Sequence, residues 1–263
     1  MSAPAPRPRS LAGATVVVTR PSSAAAALAR RVQLLGGAVV RLPGLSLRGL
    51  PASSGALPKL ADANAFDACI FNSPAAVRHA WSAWPSLQIA SRSAVFAIGA
   101  GTSRALARHG IRALAPDRRN DSEGLLGLPG LAAIDGRHIA LIGAPGGRDL
   151  IAPALRQRGA IVDEIHVYER AAPRLTRKHF DALAQADDPL ITLLSSAEAL
   201  AHLVTLLPAP LRRRLQRQSL VVSSERLAGI ARARGFGNIF RAASAAPSDL
   251  VDGAVRALTQ HRL

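Results

Sequence analysis

The chain has 263 residues, 49% of them hydrophobic, and a formal net charge of +16. That size and apolar content allow a substantial core, as one large domain or two smaller ones, and no apolar run approaches the ~18 residues that suggest a membrane span. The charge favours polyanionic partners, namely nucleic acid, acidic membrane surfaces or highly carboxylated small molecules, although nearly all the cations are Arg, with Lys only at Lys59 and Lys178, as a coding sequence rich in G and C would produce.

Residues 1–10, rich in Pro and Arg and without an apolar stretch, read as a disordered leader rather than a secretory signal. The first strand-like run, Val16-Val17-Val18, ends in Thr19-Arg20-Pro21 and enters a helical pattern from Ser22 to Leu35, after which Gly36-Gly37 turns into Ala38-Val39-Val40. Pro43-Gly44 and the stretch from Pro51 to Pro58 punctuate the chain. Cys69-Ile70-Phe71 follows, leading through Asn72-Ser73 into a helix to Trp84. Cys69 is the only cysteine, so neither an intramolecular disulfide nor a cysteine metal cluster is available. Val95-Phe96-Ala97-Ile98 ends in Gly99-Ala100-Gly101-Thr102-Ser103, with a helix from Thr102 to His109. Asp121-Ser122-Glu123-Gly124 is a helix start that capping explains, and Pro129-Gly130 is a break.

The second half repeats the pattern. His138 to Gly143 precedes a glycine-rich loop ending in Arg148, a helix from Asp149 to Arg158, and Gly159-Ala160-Ile161-Val162. Ile191-Thr192-Leu193-Leu194 leads to Ser195-Ser196 and a helix to Leu207. Leu220-Val221-Val222 leads to Ser223-Ser224 and a helix from Glu225 to Arg234, and Ser248 to Thr259 closes the series. Gly37 and Gly159, Ser73 and Ser195, and Arg104 and Arg226 are each 122 residues apart. A spacing held across three segments implies two similar α/β lobes with a ligand between them. Apolar strands alternating with helices argue for parallel sheets covered on both faces. Two arrangements fit: consecutive lobes, or lobes that exchange their first strand-helix units, with crossings near Arg41 to Leu47 and Glu164 to Ala172.

In such sheets ligands bind beyond the carboxyl ends of the strands. The loops there are small, hydroxylated or glycine-rich, and the first N–H groups of a helix carry partial positive charge, so each is a carboxylate or phosphate cradle. The same Ser, Thr and Asn residues serve as N-caps. Nucleotide signatures fail: Arg104 stands where the dinucleotide fingerprint needs a third small residue, and the loop from Gly143 to Arg148 lacks the Gly-Lys-Ser/Thr ending. The seven histidines have no metal spacing. No metal and no cofactor is expected. Tyr168, the only tyrosine, lies in Ile165-His166-Val167-Tyr168-Glu169-Arg170. A phenol with a pKa near ~10 donates a proton or hydrogen bond while uncharged at neutral pH, which suits help to a departing hydroxide among carboxylates. A strand aromatic with its hydroxyl in water is the plainer alternative.

In their order and spacing, Val18-Thr19-Arg20-Pro21, Phe71-Asn72-Ser73-Pro74-Ala75-Ala76-Val77, Ala97-Ile98-Gly99-Ala100-Gly101-Thr102 and Asp121-Ser122-Glu123-Gly124-Leu125-Leu126 resemble the uroporphyrinogen-III synthase family. So do Gly159-Ala160, Val167-Tyr168-Glu169-Arg170, Ser195-Ser196 and Ser223-Ser224-Glu225-Arg226. The resemblance implies an α/β protein of two similar, flavodoxin-like parallel-sheet lobes with exchanged segments and a two-stranded connector. One lobe would combine residues 11–42 with 173–263, and the other would span 45–168. The implied reaction closes linear hydroxymethylbilane to uroporphyrinogen III, losing water and inverting the last pyrrole ring through a spiro intermediate, without metal or cofactor. The implied roles make Tyr168 the helper of the leaving hydroxyl. Ser73, Thr102, Ser195, Ser196, Ser223 and Ser224 fall where the family holds the substrate's carboxylates, and Arg20, Asn72, Gly99, Ser103 and Gly143 of the same loops are further substrate-binding candidates. Asn72 departs from the Thr common in the family, and Ala75 leaves no cation after the loop. The expectation is a cytoplasmic monomer acting on a tetrapyrrole, away from nucleic acid and membrane; a non-catalytic bilobed binder of a small polyanion is the alternative.

Overall fold

The computed structural model describes residues 10–50, 59, 65–117, 119, 121–146 and 150–262. Of the leader expected over residues 1–10 only Ser10 is included, and Gly147, Arg148 and Asp149 of the glycine-rich loop lie outside the described residues.

In chain order, β1 (Thr15–Val18), α1 (Ser22–Leu34) and β2 (Ala38–Arg41) precede β3 (Ser46–Gly49). Then come β4 (Ala68–Phe71), α2 (Pro74–Ala83), β5 (Ala94–Ala97), α3 (Ala100–Ala107) and α4 (Ser122–Leu126). Next are β6 (His138–Gly143), α5 (Ile151–Gln157), β7 (Ile161–His166) and β8 (Tyr168–Ala171). The remainder is α6 (Arg177–Ala184), β9 (Leu190–Leu194), α7 (Ala197–Leu206), α8 (Ala209–Arg217), β10 (Ser219–Val222), α9 (Glu225–Ala233), β11 (Ile239–Arg241) and α10 (Pro247–His261). Two helices were not legible in the apolar pattern. For α8, Pro208 and Pro210 read as a break, but proline in the first turn costs no hydrogen bond, and the helix starts there. For α6, only Leu183 is fully buried, so its apolar stripe is one residue wide.

The chain divides into two compact units, one made of the residues up to Ser46 with those from Ala171 onward, the other of Leu47–Arg170. The first holds a five-stranded parallel sheet in the order β11-β10-β9-β1-β2, the second a four-stranded parallel sheet in the order β5-β4-β6-β7. Beyond β5, Leu114 bridges Phe96 where β11 stands in the first sheet. The two orders are therefore equivalent, with β10 matching β5, β9 matching β4, β1 matching β6 and β2 matching β7. Strands β3 and β8 pair as a separate two-stranded sheet.

Alternating side chains explain why both faces need cover. In the first unit Val16, Val18, Ile191 and Leu193 pack under α1 and α10, against Leu28, Val32, Leu250 and Val251. Val17, Leu190 and Leu194 point the other way, against Leu200, Leu203 and Leu227 of α7 and α9. In the second unit Cys69 and Phe71 meet Ala76, Val77 and Ala80 of α2, while Ile70, Ile139 and Leu141 meet Leu125 and Leu155. Gly36 and Gly159 adopt φ of 80° and 84° after α1 and α5, the left-handed helix exit that turns each chain into the next strand.

Leu28 is fully buried between α1 and a sheet built from both ends of the chain. Leu28→Ala is expected to cost about 2–5 kcal/mol, read as a lower urea midpoint with an unchanged denaturant slope.

Candidate active site

Within each sheet all strands run the same way, so the loops after β1, β9 and β10, and those after β4, β5 and β6, gather at one end of their respective sheets. In the first unit the Thr19 hydroxyl, fully buried, donates to the Leu193 carbonyl at 2.7 Å and pins the end of β1 to β9. That bond uses Thr19 structurally and delivers the next residue, Arg20, beside Ser195 and Ser196. These three line an open pocket of about 200 Å³ with Thr19, Pro21 and Leu45. One arm of the Arg20 guanidinium donates to the Ala245 carbonyl, while its Nε is buried without a partner among the described residues. Burial holds the Arg20 pKa below its ordinary value, and no described carboxylate pairs with it. A desolvated cation with an unspent donor, opening on a pocket with hydroxyls, is complementary to an anion.

Ser196 and Ser224 are N-caps: their hydroxyls accept from the Ala199 and Leu227 N–H groups at 3.3 Å. Ser195 and Ser223, one residue earlier, are half-buried. Glu198 and Glu225 stand in the first turns of α7 and α9, where they already satisfy part of each helix's positive end.

In the second unit Asn72 and Gly143 meet. A Cβ on Gly143 would stand 2.1 Å from Asn72 Nδ2, so only glycine admits the amide over the end of β6. Gly99 is the N-cap of α3 and its carbonyl accepts from Thr102 and Ser103 N–H at 3.0 Å. Ser103 is half-buried, whereas Thr102 is fully buried, its side chain in the body of the unit. Ser73 caps α2 by accepting from Ala76 N–H at 3.0 Å and lies 3.1 Å from Tyr168 Oη. Tyr168 itself is 4% exposed, so its ring is core. The plainer sequence alternative, a phenol hydroxyl spent on bulk water, does not hold. Cys69 is no competing nucleophile, since burial pushes its thiol up to about 12. Among the described residues no group of three or more His, Cys, Asp or Glu side chains converges as a metal set.

Of the flanking arginines, Arg104 and Arg226 are exposed and Arg148 lies outside the described residues. His79 was not singled out by the sequence, yet its ring stacks on Tyr168 with centroids 5.2 Å apart. Its only local signal is helical spacing from Ser73 through Ala76, which places all three on one side of α2; the partner is remote in sequence.

A family model described as uroporphyrinogen-III synthase HemD matches residues 26–252. The uroporphyrinogen-III synthase of Escherichia coli (strain K12) is 35% identical over 240 residues, covering 86% of this chain and 93% of its own. That of Salmonella typhimurium is 34% identical over 242 residues with the same coverage. Among solved structures, the Helicobacter pylori 26695 uroporphyrinogen-III synthetase superposes with a TM-score of 0.62 at 14% identity, covering 92% of this chain and 98% of its own. A mutant uroporphyrinogen III synthase from the extremely thermophilic bacterium Thermus thermophilus gives 0.58 at 20% identity, covering 94% and 99%. At those identities the structures establish the shared fold. The chain belongs to the uroporphyrinogen-III synthase family.

The Asn72–Gly143 contact is testable by a double-mutant cycle. Gly143→Ala alone is expected to cost about 1–3 kcal/mol through overpacking, whereas Asn72→Ala with Gly143→Ala recovers most of that loss in urea unfolding. Additive costs would separate the two residues.

Proposed function

We propose that this chain catalyses the closure of hydroxymethylbilane to uroporphyrinogen III in haem biosynthesis, with loss of one water and inversion of the last pyrrole ring. Family membership across most of the chain supports the reaction, and the site observation that carries it is the buried Tyr168 with its hydroxyl on the Ser73 cap. Ser73 Oγ accepts the Ala76 N–H and keeps a proton of its own, and Ser73 is taken as the donor to Tyr168 Oη. The phenol proton is then free for the substrate. As the bilane C–O bond breaks, that proton passes to the departing oxygen and water leaves. The phenolate keeps the Ser73 hydrogen bond, and it recovers a proton when ring closure restores pyrrole aromaticity.

Most of the rate enhancement is assigned to positioning: the bilane must be held so that the spiro route outruns direct closure to the type I isomer. Arg20 with Ser195 and Ser196 supports one carboxylate site, and the pocket there has room for a short carboxyalkyl arm. Asn72, Gly143, Gly99 and Ser103, with the N–H groups around Ser223 and Ser224, are the remaining candidates for the other arms. Thr102, with its side chain buried, acts through the backbone of its loop. We read the enzyme as a cytoplasmic monomer. No helix among the described residues is long and apolar enough to cross a membrane.

The deciding experiment supplies hydroxymethylbilane and resolves the products. Type III excess is expected; type I alone, together with ligand-dependent thermal stabilisation, would point instead to a non-catalytic polyanion binder. Tyr168→Phe is expected to lower kcat about a hundredfold with KM nearly unchanged, and an unaltered kcat removes Tyr168 from the acid role. Arg20→Gln is expected to raise KM roughly tenfold with kcat largely kept; an unchanged KM would make the Arg20 pocket vacant of substrate.

A further inference from the structure

We infer that His79 is a positioning residue for Tyr168, its imidazole clamping the phenol ring so that the hydroxyl stays on Ser73 and its proton stays aimed outward. The inference rests on the reading of Tyr168 as the acid. Beyond its packing in the core of the unit, two polar or stacking contacts to the phenol come from one helix. Ser73, the N-cap of α2, holds the oxygen at 3.1 Å. His79, six residues on and about 9 Å further along the axis, covers the ring, with centroids 5.2 Å apart and planes inclined by 21°. A phenol held only at its oxygen can still rock about that point. One held at both oxygen and ring face has a single orientation, and orientation is what a general acid needs before substrate arrives.

The surroundings of His79 suit a stacking partner rather than a second acid. Burial, and the Arg78 charge beside it, lower its pKa below the ordinary value, which favours the neutral ring. It is half-buried, and no hydrogen bond from its ring to a carboxylate is present among the described residues. On its Nδ1 side the backbone of β3 comes close: a Cβ on Gly49 would lie 3.3 Å from that atom, so the glycine leaves the imidazole just enough room to sit flat. The clamp is thus assembled from α2, from the end of β3 and from the first residue of β8.

Tyr168 is the only tyrosine, so selectively labelled tyrosine reports on this ring alone. In His79→Ala we expect kcat for isomer III to fall about three- to tenfold, as the loss of one aromatic contact allows, with KM unchanged. The Tyr168 ring-proton resonances should move downfield as the ring current is removed. His79→Phe, which keeps a flat ring, should bring kcat to within about twofold of the parent. Alanine is a good helix former, so α2 itself is kept, and a thermal melt checks this. Should the alanine variant fail to fold, the phenylalanine variant still decides: a loss of kcat there overturns the clamp. A parental kcat in His79→Ala, with unshifted tyrosine resonances, also overturns it, as do equal losses in both variants. If instead Tyr168→Phe keeps full activity, the acid assignment fails while the tyrosine spectrum still tests the stack, so the two failures are distinguishable.

Discussion

The pairing of β1 with β9 is the constraint on which the first unit depends. Thr15 to Val18 ladder onto Leu190 to Leu193, residues separated by most of the chain, and the Thr19 hydroxyl adds a side-chain bond to Leu193 at the end of that ladder. Without this pairing β1 and β2 have no sheet to join, and Leu28 and Val32 of α1 have nothing to cover. The pocket also follows from it. Arg20 comes from one strand end and Ser195 from the other, and only the ladder makes them neighbours. Closing such a long loop is entropically costly, so much of the surrounding apolar burial is needed to hold two loops in register.

The chemistry then turns on which polar groups are already spent. Ser73, Ser196 and Ser224 each satisfy a helix start, which is what their residue types suggested as the plain explanation. Each cap accepts through its oxygen and keeps its own proton, so Ser196 and Ser224 remain donors beside the backbone N–H groups and Arg20, while Ser73 also faces Tyr168. A guanidinium removed from water without a carboxylate partner is costly to keep unless a ligand repays it. By contrast Arg158 and Arg214, equally drawn into the structure, spend their donors on the carbonyls of Leu126 and Leu131 and of Leu183, Ala184 and Ala186. They tie down internal carbonyls, and Arg214 also pairs with Asp188 at 2.9 Å, whereas the Arg20 Nε has no partner among the described residues.

What was legible in the sequence follows the range of the interactions concerned. The 122-residue offset, the strand runs and most helices rest on local patterning, and they survive in the structure because local and tertiary preferences agree. Helix α8 was missed because its prolines are punctuation in one context and a first turn in another. The Asn72–Gly143 contact left only an unremarkable glycine as its signal, since the amide that excludes a Cβ is on a different strand. His79 left no signal at all beyond its helix face. Each of these depends on a neighbour brought near by β-sheet order, which residue spacing along the chain does not encode.

The repeat also shows how two similar sheets come to do different work. Thr15 pairs with Leu190 in one sheet and Ile139 with Ala68 in the other, so five residues further on the counterpart of Arg20 is Ala144. Ala144 is 8% exposed and carries no charge, so the second unit has no cation at that place. In the same way Tyr168 opens β8 where Ser46 opens β3, and Ser46 has no aromatic ring for a helix to clamp. The sheets keep the same strand order because apolar alternation sets it, and alternation tolerates substitution at the strand ends. Divergence is therefore cheapest just beyond the carboxyl ends, in the positions that face ligand. One copy carries the Arg20 guanidinium and the other the buried Tyr168 phenol, and the proposed reaction, which must both grip a polyanion and protonate its leaving group, would use one of each.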